Sequence, residues 1–229
     1  MSERELERLR ATYAERDAAA DTPYRWDNPG YVTYMQAVER AILRGIADAG
    51  VGLSGVRVLD VGCGGGYFLH RLVEYGAAEG CGIDLMETRI ESARGRYPGL
   101  EWQVGSATEL PFADGSFDLV TQFTCLSSIV DGEARAASAR EMLRVAGPDG
   151  SVLSFDLRRS SRPAAAGTPT VGLDGQELRA LFGEPRLLRR AALRFDLAQV
   201  AGRHYLVAQM LGLLPPLRSH LLGLWAGRD

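Results

Sequence analysis

The sequence contains no lysine; all 26 of its basic residues are arginine. That reads as the mark of a GC-rich genome and carries no chemistry of its own. The 29 acids outnumber the arginines and leave a net charge of -3. Such a balance excludes the basic footprint of a nucleic-acid binder. Cysteine is scarce. Cys63, Cys81 and Cys125 form no C-x-x-C pair and have no cluster of histidines beside them. Neither a disulfide framework nor a metal site is expected, and the three read as reduced, mostly buried thiols of a cytoplasmic protein. No uncharged stretch reaches the roughly 20 residues that span a bilayer. The opening MSERELERLR also lacks the apolar core of a signal peptide. The expected partners therefore include neither nucleic acid nor membrane.

The 229 residues, 46% hydrophobic and 24% charged, suit one α/β domain with embellishments. The chain is organised around Val56–Phe68, VRVLDVGCGGGYF. Val56, Val58, Leu59 and Val61 make a β-branched run of the length a buried parallel strand needs. Gly62, Gly64, Gly65 and Gly66 follow, a turn that can take positive φ and let a ligand approach without a Cβ in the way. Phe68, Leu69, Leu72 and Val73 then repeat at helical spacing, so a helix begins with its free N–H groups aimed at the turn. Such an end favours an anionic or polar ligand. The dinucleotide pattern G-x-G-x-x-G does not fit, because its third glycine falls on Tyr67. A glycine turn with no ligand is the plain alternative.

Downstream, Glu79–Leu85 reads as a second strand ending in Asp84, 22 residues after Gly62. That is close to the ~20 expected of a carboxylate that accepts both hydroxyls of a ribose diol; capping the helix 87–94 is the plain alternative. Residues 100–105 form a third strand, 117–123 a fourth and 151–157 a fifth. Helices are expected at 2–19, 32–49, 131–145 and 175–182. Pro185–Phe195 and Ser219–Trp225 read as the last two strands, with a continuous apolar helix over 197–214 between them. A mobile loop is expected over 158–173. The aromatics Tyr24, Trp26, Tyr31 and Tyr34 either pack the N-terminal arm on the core or cover the ligand as a lid.

VLDVGCGGG resembles the first motif of the class I S-adenosylmethionine (SAM)-dependent methyltransferases. SATELPFADGSFDLV resembles their G-D-A-x-x-L-P-F-x-D-x-S-F-D-x-V stretch, and EMLRVAGPDGSVLSFD a third one. The resemblance covers about 55–157. It implies a Rossmann-like, mostly parallel seven-stranded sheet of order 3-2-1-4-5-7-6 with helices on both faces. One domain is expected: an N-terminal helical lid (1–50), a SAM-binding core (51–160), and C-terminal strands with a substrate-side helix (161–229). The implied cofactor is SAM, released as S-adenosylhomocysteine. By resemblance, the backbone of Gly62, Cys63 and Gly64 holds its amino-acid end and Asp60 supports the loop. Asp84 takes the ribose, Leu85 covers the adenine, and Ser106 and Ala107 meet the adenine edge. Ser106 stands where the family usually has an acid. Gln122 and Phe123 lie beside the methionine part. Tyr24, Arg25 or Tyr31 could reach the carboxylate from the lid, on composition alone.

Methyl transfer releases a neutral sulfur, so no acid is required. Aligning the reactants can supply roughly 7–11 kcal/mol. A hydroxyl acceptor also needs a base. The candidates are His204, His220, Asp156 and Glu133, with His204 and Asp156 foremost. A histidine on an apolar helix is more often a satisfied one, and Asp156 could equally pair with Arg158. The apolar segment and aromatic lid favour a small, partly hydrophobic acceptor. O-methylation in a natural-product or sugar pathway is expected, with N-methylation of an amino sugar or amino acid and a non-catalytic SAM binder as alternatives. The chain is expected to be a monomer or homodimer.

Overall fold

The computed structural model describes residues 3–18, 24–159 and 170–227. Seven strands form one sheet: β1 (Arg57–Val61), β2 (Glu79–Asp84), β3 (Glu101–Val104), β4 (Leu119–Phe123), β5 (Ser151–Leu157), β6 (Leu187–Leu193) and β7 (Arg218–Ala226). Their order is β3-β2-β1-β4-β5-β7-β6, as the resemblance implies. β1 to β5 run parallel, and β7 runs antiparallel to both of its neighbours. The helices are α1 (Glu3–Ala18), α2 (Pro29–Asp48), α3 (Tyr67–Glu74), α4 (Glu87–Arg96), α5 (Gly132–Ala146), α6 (Gly175–Phe182), α7 (Phe195–Ala201) and α8 (Tyr205–Leu213).

The central strands are almost wholly buried because both faces are covered. On one face Val58, Leu119, Leu153 and Phe155 meet Val38 and Ile42 of α2, Leu69 of α3 and Ile90 of α4. On the other, Leu59, Val61, Val120 and Val152 meet Met142 of α5 and Phe182 of α6. The alternation places Asp60 and Thr121 toward the first layer and Gln122, Ser154 and Asp156 toward the second. The crossover from β3 at the edge back to β4 beside β1 reverses the strand order, so the carboxyl ends of β1 and β4 form the crevice in which such sheets bind ligands.

Two expectations are corrected. The apolar run 197–214 is not one helix: it breaks at Gly202, Arg203 and His204 into α7 and α8. Gly202 lies so close to α2 that a Cβ there would sit 2.5 Å from the Cα of Gly30. That close crossing sets the direction of α7, and the chain must turn before α8. Helix α2 starts at Pro29 rather than 32, because the Asn28 side chain accepts from the N–H groups of Gly30 and Tyr31 and caps it. Most of the loop expected at 158–173, namely 160–169, lies outside the described residues.

Candidate cofactor and acceptor cavity

A cavity of about 740 Å³ opens at the carboxyl ends of β1, β2 and β4. Ligand pockets commonly measure about 300–1,000 Å³. Its floor is the glycine turn. Gly62 takes φ +71°, and a Cβ there would fall 2.7 Å from Cys125 Sγ. Gly66 takes φ +82° at the head of α3, where a Cβ would collide with the Trp102 ring at 2.3 Å. Both positions exclude a side chain on two grounds, conformation and space. The turn is held from below by the Gly62 and Cys63 N–H groups, which donate to Ile83 O at 2.8 and 3.1 Å.

Asp84 ends β2 on the cavity wall. One oxygen accepts from the Gly64 N–H at 2.8 Å and the other from the Met86 N–H at 2.9 Å. The carboxylate thus both fixes the glycine turn and starts α4. Each oxygen keeps a further lone pair, which is what a vicinal diol needs. Asp60 is buried beneath the turn and accepts from Thr121 Oγ1 at 2.9 Å. Burial raises its carboxyl to about 8; the Thr121 bond opposes this and the Asp84 charge adds to it.

Leu85, Ser106 and Ala107 line the far end. The Ser106 hydroxyl is engaged by its own turn, 2.8 Å from Thr108 Oγ1. Thr108 joins the wall there. Tyr24 and Tyr31 line the near end, packed edge-to-face at 6.0 Å, and Tyr24 stacks on Phe195 of α7 at 5.0 Å. Phe123 and Cys63 also line the cavity.

Several expected site residues lie elsewhere. Arg25 is exposed and turns to Asp27, with Nη2 2.7 Å from the carboxylate; it is not part of the cavity wall. Gln122 is fully buried behind the wall. Its amide donates toward Asp156 at 3.1 Å and its oxygen accepts from the Cys125 N–H at 2.8 Å. It positions the turn after β4 rather than facing a ligand. Asp156 belongs to this same buried network, accepting also from the Ser127 N–H at 3.1 Å, and burial raises its carboxyl. It is closed off from the cavity. His204 is exposed at the start of α8, and neither α7 nor α8 contributes to the cavity wall. The expectation that this insertion walls the substrate pocket is therefore corrected: Phe195 reaches the site only through Tyr24. His220 is buried, stacked on Phe155 at 4.5 Å and placed 3.3 Å from the Tyr34 hydroxyl. His70 pairs with Glu74 at 3.5 Å on the surface. Glu133 is exposed in the first turn of α5. No histidine lines the cavity.

The sequence missed the other wall. Leu9 and Tyr13 of α1 cover the cavity, and Ser128 and Ile129 after β4 complete it. The Leu6, Leu9 and Tyr13 stripe signalled packing, but not what it packs over. Thr88, Arg89, Ser92 and Arg96 add a polar wall from α4. Thr124, a non-glycine residue at φ +59°, lies in the same wall; strain of this kind concentrates at functional sites. Among the described residues no group of His, Cys, Asp and Glu could hold a metal ion.

The residues present fit SAM. A side-chain-free turn lies at one end, a ribose-competent carboxylate in the middle and a slot of Leu85, Ser106, Ala107 and Thr108 at the other end. Comparison with known proteins agrees. Residues 58–150 match a methyltransferase domain family. The chain is 38% identical over 122 residues to norajmaline N-methyltransferase of Rauvolfia serpentina, covering 49% of this chain and 40% of that protein. It is 31% identical over 143 residues to ubiquinone biosynthesis O-methyltransferase of Neisseria meningitidis, covering 60% and 58%. The chain thus spans about half the length of these relatives. Its fold matches the crystal structure of magnesium protoporphyrin IX methyltransferase from Synechocystis with a TM-score of 0.60 at 16% identity, over 96% of this chain and 89% of that one. By its methyltransferase-domain match and its strand order, the chain is similar to the class I SAM-dependent methyltransferases.

Proposed function

We propose that the protein transfers a methyl group from SAM to a small, partly apolar acceptor. The observation that carries this reading is the single cavity wall that holds the bare glycine turn, Asp84 and the Tyr24–Tyr31 pair together. SAM supplies the activated methyl group when bound. The turn at Gly62–Gly64 presents backbone groups to its amino-acid end, and Asp84 presents free lone pairs to its ribose. The aromatics Tyr24, Tyr31, Phe68 and Phe123 exclude water and hold the acceptor in line.

The wall also bears on the acceptor. It offers no histidine, and its buried carboxyl Asp60 is already hydrogen-bonded. We infer an acceptor whose nucleophile needs no base from the protein. An acidic hydroxyl, such as a phenol, meets this and keeps the O-methylation reading. An amine that enters unprotonated meets it equally, and the chain is similar to both an N- and an O-methyltransferase. A natural-product or sugar pathway is the setting proposed.

Calorimetry with SAM and S-adenosylhomocysteine tests the site: micromolar binding is expected, weakened at least tenfold by Asp84→Ala. Hydrogen bonds to a charged group contribute about 1.5–3 kcal/mol each, so losing two supports that margin. Unchanged affinity would remove the ribose assignment. Transfer of labelled methyl from SAM to phenolic and amine acceptors separates an enzyme from a silent binder.

A further inference from the structure

We propose that α8, with the end of α7, is a peripheral docking face for an anionic lipid bilayer. The evidence is a helix that is apolar on its outward side as well as its inward one. A surface helix normally turns its apolar side inward. In α8 the outward side carries Leu206, Val207, Met210 and Leu213, with Leu206 76% exposed, Met210 65% and Leu213 64%. At 100° per residue these four fall within one 120° arc. Leu214 beyond the helix and Val200 at the end of α7, 82% exposed, are further apolar side chains open to solvent. The inward side is narrower: Ala208 is buried, Leu211 packs partly buried on the same small cluster, and Gln209 accepts from Arg40 Nη1 at 2.7 Å. Arg218 Nε donates to Gly212 O at 2.8 Å. These polar contacts fix the rotation of α8, so the four outward side chains are held there.

Charge selects the occupant. Residues 186–218 contain six arginines and one acid, Asp196, within a chain that is acidic overall. Asp196 is ion-paired with Arg194, and Asp48 of α2 with Arg189, which leaves the region four arginines in excess. Arg203 and Arg190 are exposed. Arginine matches phosphate geometry well, and an apolar helix flanked by basic residues is the pattern that lies in a lipid interface. A second copy docking through the same face would set arginine against arginine. No helix among the described residues is long and apolar enough to cross a membrane, so the contact is peripheral. The sequence pointed to no membrane because spans were its only signal; a nine-residue face gives none. The face also adjoins the site: Phe195 of α7 stacks on Tyr24, and Gln199 accepts from Asn28 at 2.8 Å. Its use in delivering an apolar acceptor rests on the proposed function; docking itself does not.

Flotation with unilamellar vesicles tests this. The full chain is mixed with pure phosphatidylcholine vesicles, or with vesicles containing phosphatidylglycerol, at low and high salt. Partition at least about tenfold stronger onto the anionic vesicles is expected, falling as salt screens the arginines. The double variant Leu206→Glu, Met210→Glu should lower it about tenfold or more, with SAM affinity and circular dichroism unchanged. Should that variant fold poorly, Met210→Gln serves, and the lipid and salt dependence of the unaltered chain stands alone as a test. Absence of partition onto anionic vesicles overturns the proposal, as does equal partition of a folded variant. A concentration-dependent dimer that the variant abolishes, without vesicle binding, also overturns it by giving the face to a second copy. Vesicle binding by a chain that fails to bind SAM would leave docking intact and sink only the methyltransferase reading.

Discussion

Asp60 and His220 are buried ionisable residues that resist their charged forms, and they act on stability in opposite directions. Burial raises Asp60 from 3.8 to about 8. Between those values the folded protein holds a proton that the unfolded chain has lost, so stability falls as pH rises through that window. Burial lowers His220 from 6.5 to about 3. Here the unfolded chain binds the proton first, so stability is lost as pH falls from 6.5 toward 3. The windows overlap between 4 and 6.5 and separate outside it. Asp60→Asn, which can still accept from Thr121, should therefore flatten the decline in stability between pH 6.5 and 8. His220→Gln should flatten the acid-side loss between pH 4 and 3. One proton sets a limiting slope of about 1.4 kcal/mol per pH unit. Urea melts at several pH values measure both, and a variant whose slope matches the parent's would contradict the assignment. The position of Asp60 was legible, because an acid two residues before a strand-end glycine must sit under the turn. The fate of Asp156 was not. Its strand register was readable, but not that Gln122 and the Ser127 N–H would claim its oxygens.

Arg135 shows how an element far from the ligand builds the wall. It lies on α5, almost fully buried, and donates to Ile129 O at 2.7 Å and to Leu126 O at 3.2 Å. Its other end pairs with Glu177 of α6. The 3₁₀ turn Leu126–Ser128 and Ile129 thus owe their path to a guanidinium on the next element, α5. Arg135→Leu leaves those carbonyls and Glu177 without their partner. A loss of about 2–3 kcal/mol is expected, seen as a lower urea midpoint, together with weaker SAM binding because Ser128 and Ile129 line the cavity. Stability within 0.5 kcal/mol of the parent, an estimate of the ordinary surface effect, would show that the turn holds itself. Strands and most helices were readable because period and composition are local. The α7–α8 break was not, since it is set by the contact of Gly202 with Gly30, residues 172 positions apart in sequence.

At the scale of the molecule, the strand order puts the cavity at a crevice, and α1 closes it from outside the sheet. The fastening is polar. Glu5 accepts from the Val130 N–H at 2.9 Å and from Arg8 at 2.8 Å. Arg8 donates to Ser128 O at 2.7 Å, and the Tyr13 hydroxyl to Ser128 Oγ at 2.8 Å. Arg89 lies over the Tyr13 ring at 4.1 Å. Among the described residues of α1, Leu9 is the one buried hydrophobic side chain. A helix held by few apolar contacts and several hydrogen bonds opens locally before the domain unfolds. Product is expected to leave the cavity past it, since Leu9 and Tyr13 line the wall. Glu5→Gln with Tyr13→Phe weakens the fastening while keeping every ring and nearly every atom of volume. Release of S-adenosylhomocysteine should then quicken about tenfold in a stopped-flow chase, the effect of roughly 1.4 kcal/mol taken from the closed state. Amide exchange in α1 should rise in parallel, with the urea midpoint nearly unchanged. The Arg8 bond holds the Glu5 carboxyl below the usual range, so the fastening survives mild acid. It is lost as pH falls through that lowered value, and the parent's release rate should climb there toward the variant's. Release equally fast in both chains at neutral pH would mean that product leaves by another route, past the Tyr24 and Tyr31 end.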